Sequence, residues 1–301
     1  MYQEIIIMKP KICGAYTVLI TPFDKEGQLD EEGLRKNIRF QLSYHIQGLV
    51  VLGTTGEAPT LSQKEKEKII SIAREETEGK CLLMVGTGSY ATHATIENTL
   101  AAQDASADAA LVVTPYYNKP TQEGLYQHFS TLAKAVKLPL VIYNIPGRTG
   151  QNLQIETLKR LAAIENIVGV KEASGNILQM MDVIESIRLI RSDFSIMSGD
   201  DALTYPLMAL GGHGIYSVLS NLLPQEVKKL CDLMVEGDYP TARALHYELL
   251  PYMKSMFIET NPIPVKTAMN LTGHAAGPCR LPLCAMSDEN LEKIKKCLKV
   301  L

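Results

Sequence analysis

A lysine at the end of an apolar run is the first residue in this sequence suited to covalent chemistry. In NIVGVKEASG, residues 166–175, Ile167, Val168 and Val170 lead straight to Lys171. An ammonium carried into apolar surroundings is costly to keep charged, so desolvation lowers its pKa from the usual ~10.4 and frees part of the amine as a nucleophile. Such an amine attacks a carbonyl to form a Schiff base, after which the neighbouring carbon can lose a proton and become an enamine. The plainer reading is a structural lysine paired with Glu172 or another carboxylate, but strand alternation sends Glu172 to the opposite face.

Other apolar runs end in polar residues of matching character. GLVVLG runs into Thr54-Thr55-Gly56-Glu57, AALVVT into Pro115-Tyr116-Tyr117-Asn118, and LPLVIYN ends on Tyr143-Asn144 with Arg148 shortly after. Tyr143 is the candidate proton carrier, yet a phenol of pKa ~10 is a poor shuttle alone. Thr54 and Tyr117 are therefore read as relay hydroxyls. Arg148 can clamp a carboxylate through two parallel hydrogen bonds, and the hydroxyls and N–H groups of the Thr54-Thr55-Gly56 turn suit a second one. Taken singly, each is more often packing or surface; their joint position at strand ends carries the reading.

The elements that must position these groups are legible as eight continuous apolar runs: 13–20, 48–53, 81–86, 109–114, 138–144, 167–171, 194–199 and 214–219. Runs without alternation are strands covered on both faces. Helical patterns lie between them, including 30–45, 62–79 and 155–166, several opening with Asp, Ser or Glu. Strand ends fall near 20, 52, 85, 113, 143, 171, 198 and 218, the spacing of strand–helix units. Eight units predict an α/β fold, a (β/α)8 TIM barrel with its site at the C-terminal ends of the strands. The barrel is assigned to residues 1–234, of which 1–11 form an N-terminal extension, and a small C-terminal helical subdomain to 235–301.

Composition narrows the partners. The chain has 301 residues, 46% hydrophobic, with a formal net charge of −3 and a pI near 6.1, so nothing recommends nucleic acid or an acidic membrane. No apolar run reaches the ~18 residues of a membrane span, and a cytoplasmic location is expected. The six cysteines lack zinc spacing and read as reduced, mostly buried thiols; Cys279, Cys284 and His274 offer only a weak metal set. Gly86-Thr-Gly88-Ser-Tyr-Ala91 resembles a dinucleotide turn, but Asp108, at the required distance, precedes the next strand where it should close it. No metal or organic cofactor is expected, since the lysine supplies the electron sink.

Seven segments in order, GTTGE (53–57), TPYYNKPTQEGLYQHF (114–129), YNIPGRTG (143–150), VKEASGN (170–176), SGDD (198–201), GGHG (211–214) and NPIPVK (261–266), resemble the dihydrodipicolinate synthase family of pyruvate-dependent class I aldolases. The resemblance spans about residues 12–298. It implies condensation of pyruvate with L-aspartate 4-semialdehyde, with Lys171 as the Schiff-base lysine and Tyr143, Thr54 and Tyr117 as the relay. It further implies that Thr55 holds the pyruvate carboxylate and Arg148 that of the semialdehyde. Tyr117 would reach a neighbouring subunit's site, making a dimer the functional minimum and a homotetramer the common assembly. Related N-acetylneuraminate lyases and sugar-acid aldolases share the lysine and tyrosine but usually read GSTGE and lack the arginine.

Two departures stand out. Tyr216 replaces the isoleucine of the family's G-x-I-S-V strand and borders the pyruvate site; a backbone contact leaves the pocket unchanged, an inward ring narrows it. Where lysine-inhibited members bind lysine, this chain has Ala58, Gln63, Lys66, Tyr90 and Ala94. A cation at Lys66 repels the ligand's ammonium, so weak feedback inhibition is expected.

Overall fold

The eight apolar runs become eight parallel strands: β1 (Gly14–Val18), β2 (Gly48–Val51), β3 (Leu82–Gly86), β4 (Ala109–Val113), β5 (Leu140–Asn144), β6 (Ile167–Glu172), β7 (Ser195–Ser198) and β8 (Gly214–Ser217). In this computed structural model, which describes residues 12–299, they close in sequence order, β1 pairing with both β2 and β8. The predicted N-terminal extension, 1–11, lies outside the described residues.

Helices form where caps and periodicity place them. Asp30 accepts from the Gly33 N–H to start helix Glu31–Ser43, and Ser62 with Glu65 makes a reciprocal capping box on helix Gln63–Thr77. The eighth crossover helix is Pro224–Glu236, terminated by Gly237 in the left-handed conformation. The expected boundary at 234/235 therefore falls in that helix's last turn. Helices Tyr239–Ser255, Ile263–Leu271 and Asp288–Leu298 complete the C-terminal region.

Side chains alternate between two cores. Ala15, Leu49, Leu83, Ala110, Ile142, Ile196 and Ile215 face the helices, whereas Tyr16, Val50, Met84, Leu111, Val141, Met197 and Tyr216 fill the barrel. Strand β6 breaks this period. Leu140 pairs with Ile167, but its successor Val141 pairs with Gly169, so Val168 and Gly169 together oppose one residue of β5. The bulge explains why Val168 lies in the inner core and Val170, two positions on, in the outer one. It also turns Lys171 inward, in register with Tyr143, and sends Glu172 outward. Gly169 permits this, since a Cβ there would sit 2.8 Å from the Ser195 carbonyl oxygen.

The cysteines depart from expectation: only Cys231 is buried, Cys284 is exposed, and Cys13, Cys81, Cys279 and Cys297 are intermediate. Their hydrophobic neighbours point to the core while the small thiols occupy its margins.

Candidate active site

Lys171 is the penultimate residue of β6 and is 4% exposed. Its Nζ lies 4.2 Å from the Tyr143 ring centroid and 5.5 Å from that of Tyr216. Among the described residues no hydrogen bond or ion pair engages it. Gly199 makes room for its stem: a Cβ there would fall 2.9 Å from Lys171 Cε. Burial brings the ammonium pKa down to about 7, against a partial opposing pull from Asp201 and with a further lowering by Arg148. Near neutral pH the lowered pKa leaves part of the amine unprotonated and nucleophilic.

Asp201 was not singled out from the sequence. It is buried after β7, its carboxylate accepting from Ser217 Oγ and from the Val218 and Leu219 N–H groups at 3.0 and 3.2 Å. Burial raises its pKa to about 6. Glu172, in contrast, is taken up on the far face by Asn144, Ser174 and Gln179, so it is not the partner of Lys171.

Tyr143 is the penultimate residue of β5 and its pKa is raised to about 12 by burial, with Arg148 and Thr54 pulling the other way. Tyr143 and Thr54 are thus brought together within one chain. Thr54 belongs to a turn after β2 in which Leu52 and Glu57 have φ of 57° and 52°, a left-handed geometry stabilised by tertiary contacts. Glu57 forms a buried pair with Lys266 at 2.8 Å and accepts from the Arg280 N–H, while Thr21 Oγ1 donates to the Gly56 carbonyl.

Thr55 is buried and its Oγ1 accepts from Asn261 Nδ2 at 2.9 Å. Arg148 lies in a single helical turn, Pro146–Thr149, and its Nη2 donates to the Asn261 backbone carbonyl at 3.2 Å. Thr54, Tyr143, Arg148 and Asn261 share a cavity of about 700 Å³ that continues outward beside helix Gln63–Thr77, past Ala58, Gln63 and Lys66.

Two predicted residues behave differently. Tyr216 turns its ring into the barrel, 5.4 Å from Tyr16, with its hydroxyl buried and unpartnered, so the inward alternative holds. Tyr117 is not brought to Lys171 of its own chain: it is 91% exposed with φ of 70°. Asn261 and Lys266 were missed as well. Their signal was the NPIPVK segment, whose polar ends flank a proline-rich core.

Fold and site together describe a Schiff-base-forming lyase of the (β/α)8 class. A model of the dihydrodipicolinate synthetase family matches residues 11–301. The chain is 55% identical over 288 residues to 4-hydroxy-tetrahydrodipicolinate synthase of Protochlamydia amoebophila (strain UWE25), covering 96% of each. Dihydrodipicolinate synthase of Thermotoga maritima superposes with a TM-score of 0.95 at 42% identity, over 97% of this chain and 99% of that one. The chloride-inhibited enzyme of Acinetobacter baumannii, complexed with pyruvate, gives 0.93 at 39% identity, over 96% and 98%. The chain belongs to the dihydrodipicolinate synthetase family. Among the described residues no cluster of His, Cys, Asp and Glu could hold a metal, and no helix is long and apolar enough to cross a membrane.

Proposed function

We propose that this chain condenses pyruvate with L-aspartate 4-semialdehyde, as a cytoplasmic enzyme of diaminopimelate and lysine biosynthesis. The observation that carries the mechanism is the unpaired, desolvated amine of Lys171 beside Tyr143. The neutral amine attacks the keto carbon of pyruvate, and loss of water gives the Schiff base. Thr55 holds the pyruvate carboxylate. Removal of a methyl proton yields the enamine, whose carbon attacks the aldehyde of the second substrate while Arg148 clamps that substrate's carboxylate. Protons pass through the hydroxyls of Tyr143 and Thr54, which line one cavity.

Tyr117 completes the relay from a second copy. An exposed tyrosine held in a left-handed backbone has no role in its own chain's site, and Tyr90 and Tyr116 stack edge to face nearby at 5.7 Å. A dimer is then the functional minimum, with a tetramer as its pairing. Tyr216, packed beneath Lys171, forms the floor that limits the pyruvate side of the site. Lysine feedback is weak, because Lys66 places a cation on the cavity wall; half-inhibition at sub-millimolar lysine overturns that point.

Borohydride reduction with pyruvate, followed by peptide mapping, tests the chemistry: an adduct is expected on the Lys171 peptide. No adduct defeats the Schiff-base reading. Turnover with pyruvate and N-acetylmannosamine, but not with the semialdehyde, defeats the choice of second substrate.

A further inference from the structure

The inward aim of Lys171 depends on a choice between two registers of β6. Ile167 faces the helices, and plain alternation from there would send Val168 and Val170 inward and Lys171 outward. That unbulged register would pair Tyr143 with Val170 and Asn144 with Lys171, and it would give the barrel face to Glu172. A slip of one residue carries every side chain beyond it to the other face. The bulge at Val168 and Gly169 takes the other option, setting Lys171 against Tyr143 and Glu172 against Asn144. Lys171 is not what selects it, since desolvation on the barrel face disfavours the charged amine.

Glu172 supplies the reason. It is 1% exposed, and a polar cradle on the helix side receives its carboxylate. Oε2 accepts from Asn144 Nδ2 at 3.0 Å and from Gln179 Nε2 at 3.3 Å, and Oε1 accepts from the Ser174 N–H at 2.7 Å. The donors are themselves aimed: Asn144 Oδ1 accepts from the Leu153 N–H, its Nδ2 also donates to Asn152 Oδ1, and Asn152 exchanges two hydrogen bonds with Gln179. In the unbulged register the carboxylate would leave three directed donors for a desolvated barrel face, and both sides of that exchange are unfavourable. We propose that Glu172 is a positioning residue of the reaction: docked in this cradle, it selects the bulged register of β6 and so keeps Lys171 on the barrel face beside Tyr143. The inference rests on the proposed function, because it takes Lys171 as the nucleophile.

The test measures the rate of pyruvate-dependent borohydride trapping on Lys171, with circular dichroism to show that each variant is folded. Glu172→Leu is expected to slow trapping roughly 10- to 100-fold, the size of a hydrogen bond to a charged group. Deleting Gly169 removes the extra residue, so alternation alone then brings Lys171 inward whatever stands at position 172. The deletion variant should therefore still trap, and adding Glu172→Leu to it should change the rate by less than about twofold. An equal loss in both backgrounds means that Glu172 acts by a route other than register. That result overturns the proposal, as does a folded Glu172→Leu variant that traps like wild type or a folded deletion variant that forms no adduct. Where either variant does not fold, Glu172→Gln, Asn144→Asp and the two together decide. Each single change sets like against like across the two strands, and the pair restores donor to acceptor. Trapping should fall in each single variant and recover in the pair; singles that trap like wild type, or a pair that does not recover, overturn the proposal. If wild type forms no adduct, the Schiff-base reading has failed and not the register assignment.

Discussion

Two of the lysines among the described residues are buried, and they have opposite chemical characters. Lys266, 1% exposed in the C-terminal region, directs its Nζ to Glu57 at 2.8 Å and to the carbonyls of Thr21 and Pro278 at 3.0 and 2.6 Å, above the Phe23 ring. Lys171, 4% exposed at the barrel mouth, meets two aromatic faces. Burial lowers both pKa values, but for Lys266 the charge and hydrogen bond of Glu57 oppose the shift. Desolvation is common to the two sites; what separates them is whether the three N–H donors are engaged. A fully engaged ammonium is a structural tie, whereas an unengaged one can give up its proton and attack.

The contrast is sharpest on removing each amine. Lys171→Met should lower turnover by on the order of 10⁴-fold or more, as for loss of a nucleophile, and abolish borohydride trapping, while raising the melting temperature. Its folded-state pKa of about 7 lies below the unfolded value, so the native state binds fewer protons. That destabilisation is complete below pH 7 and fades as pH rises towards ~10.4. A Met variant that melts lower at pH 6.5 contradicts this account. Tyr143→Phe should cost about 10²–10⁴-fold in kcat, with trapping by pyruvate slowed far less than turnover.

Lys266→Met should destabilise by about 3–5 kcal/mol because Glu57 is left buried and unpaired, measured by urea unfolding. Adding Glu57→Gln should recover part of that loss; no recovery would mean that the pair is not what holds the turn. The trapping rate of wild type should climb with pH through about 7 and then level off as the amine deprotonates; a flat profile from pH 6 to 9 would put Lys171 in the same class as Lys266. The smallest effect belongs to Tyr216→Phe, which deletes a buried hydroxyl without a partner and should leave stability equal or raise it by up to ~1–3 kcal/mol.

Much of this was readable in the residues. Uninterrupted apolar runs gave all eight strands to within two residues, because both faces of a barrel strand are covered and no alternation obscures the limits. Asp30 and Ser62 marked helix starts by chemistry that acts locally. The inward aim of Lys171 was anticipated, but its cause was not: the bulge at Val168 and Gly169 appears only when β6 is paired with β5. Glu57–Lys266 and Thr55–Asn261 span 209 and 206 positions, and no periodicity reports contacts between segments so far apart. The ring direction of Tyr216 depended on which face β8 turns inward, and Arg148's helical turn on tertiary hydrogen bonds. The exposure of the thiols was misjudged because hydrophobic neighbours say where a segment lies and not where one small side chain points.

The tie between the turn at 53–57 and residues 261–266 has a consequence for the order in which the protein is made. A chain growing from its N-terminus can complete all eight strands by Ser217, and domains commonly begin folding during synthesis. The loop that carries Thr54 and Thr55 must then wait for more than forty further residues before its fastening arrives. During that interval the nascent barrel holds its reactive amine over a binding loop that is still loose, so competence for turnover is conferred among the last steps of synthesis.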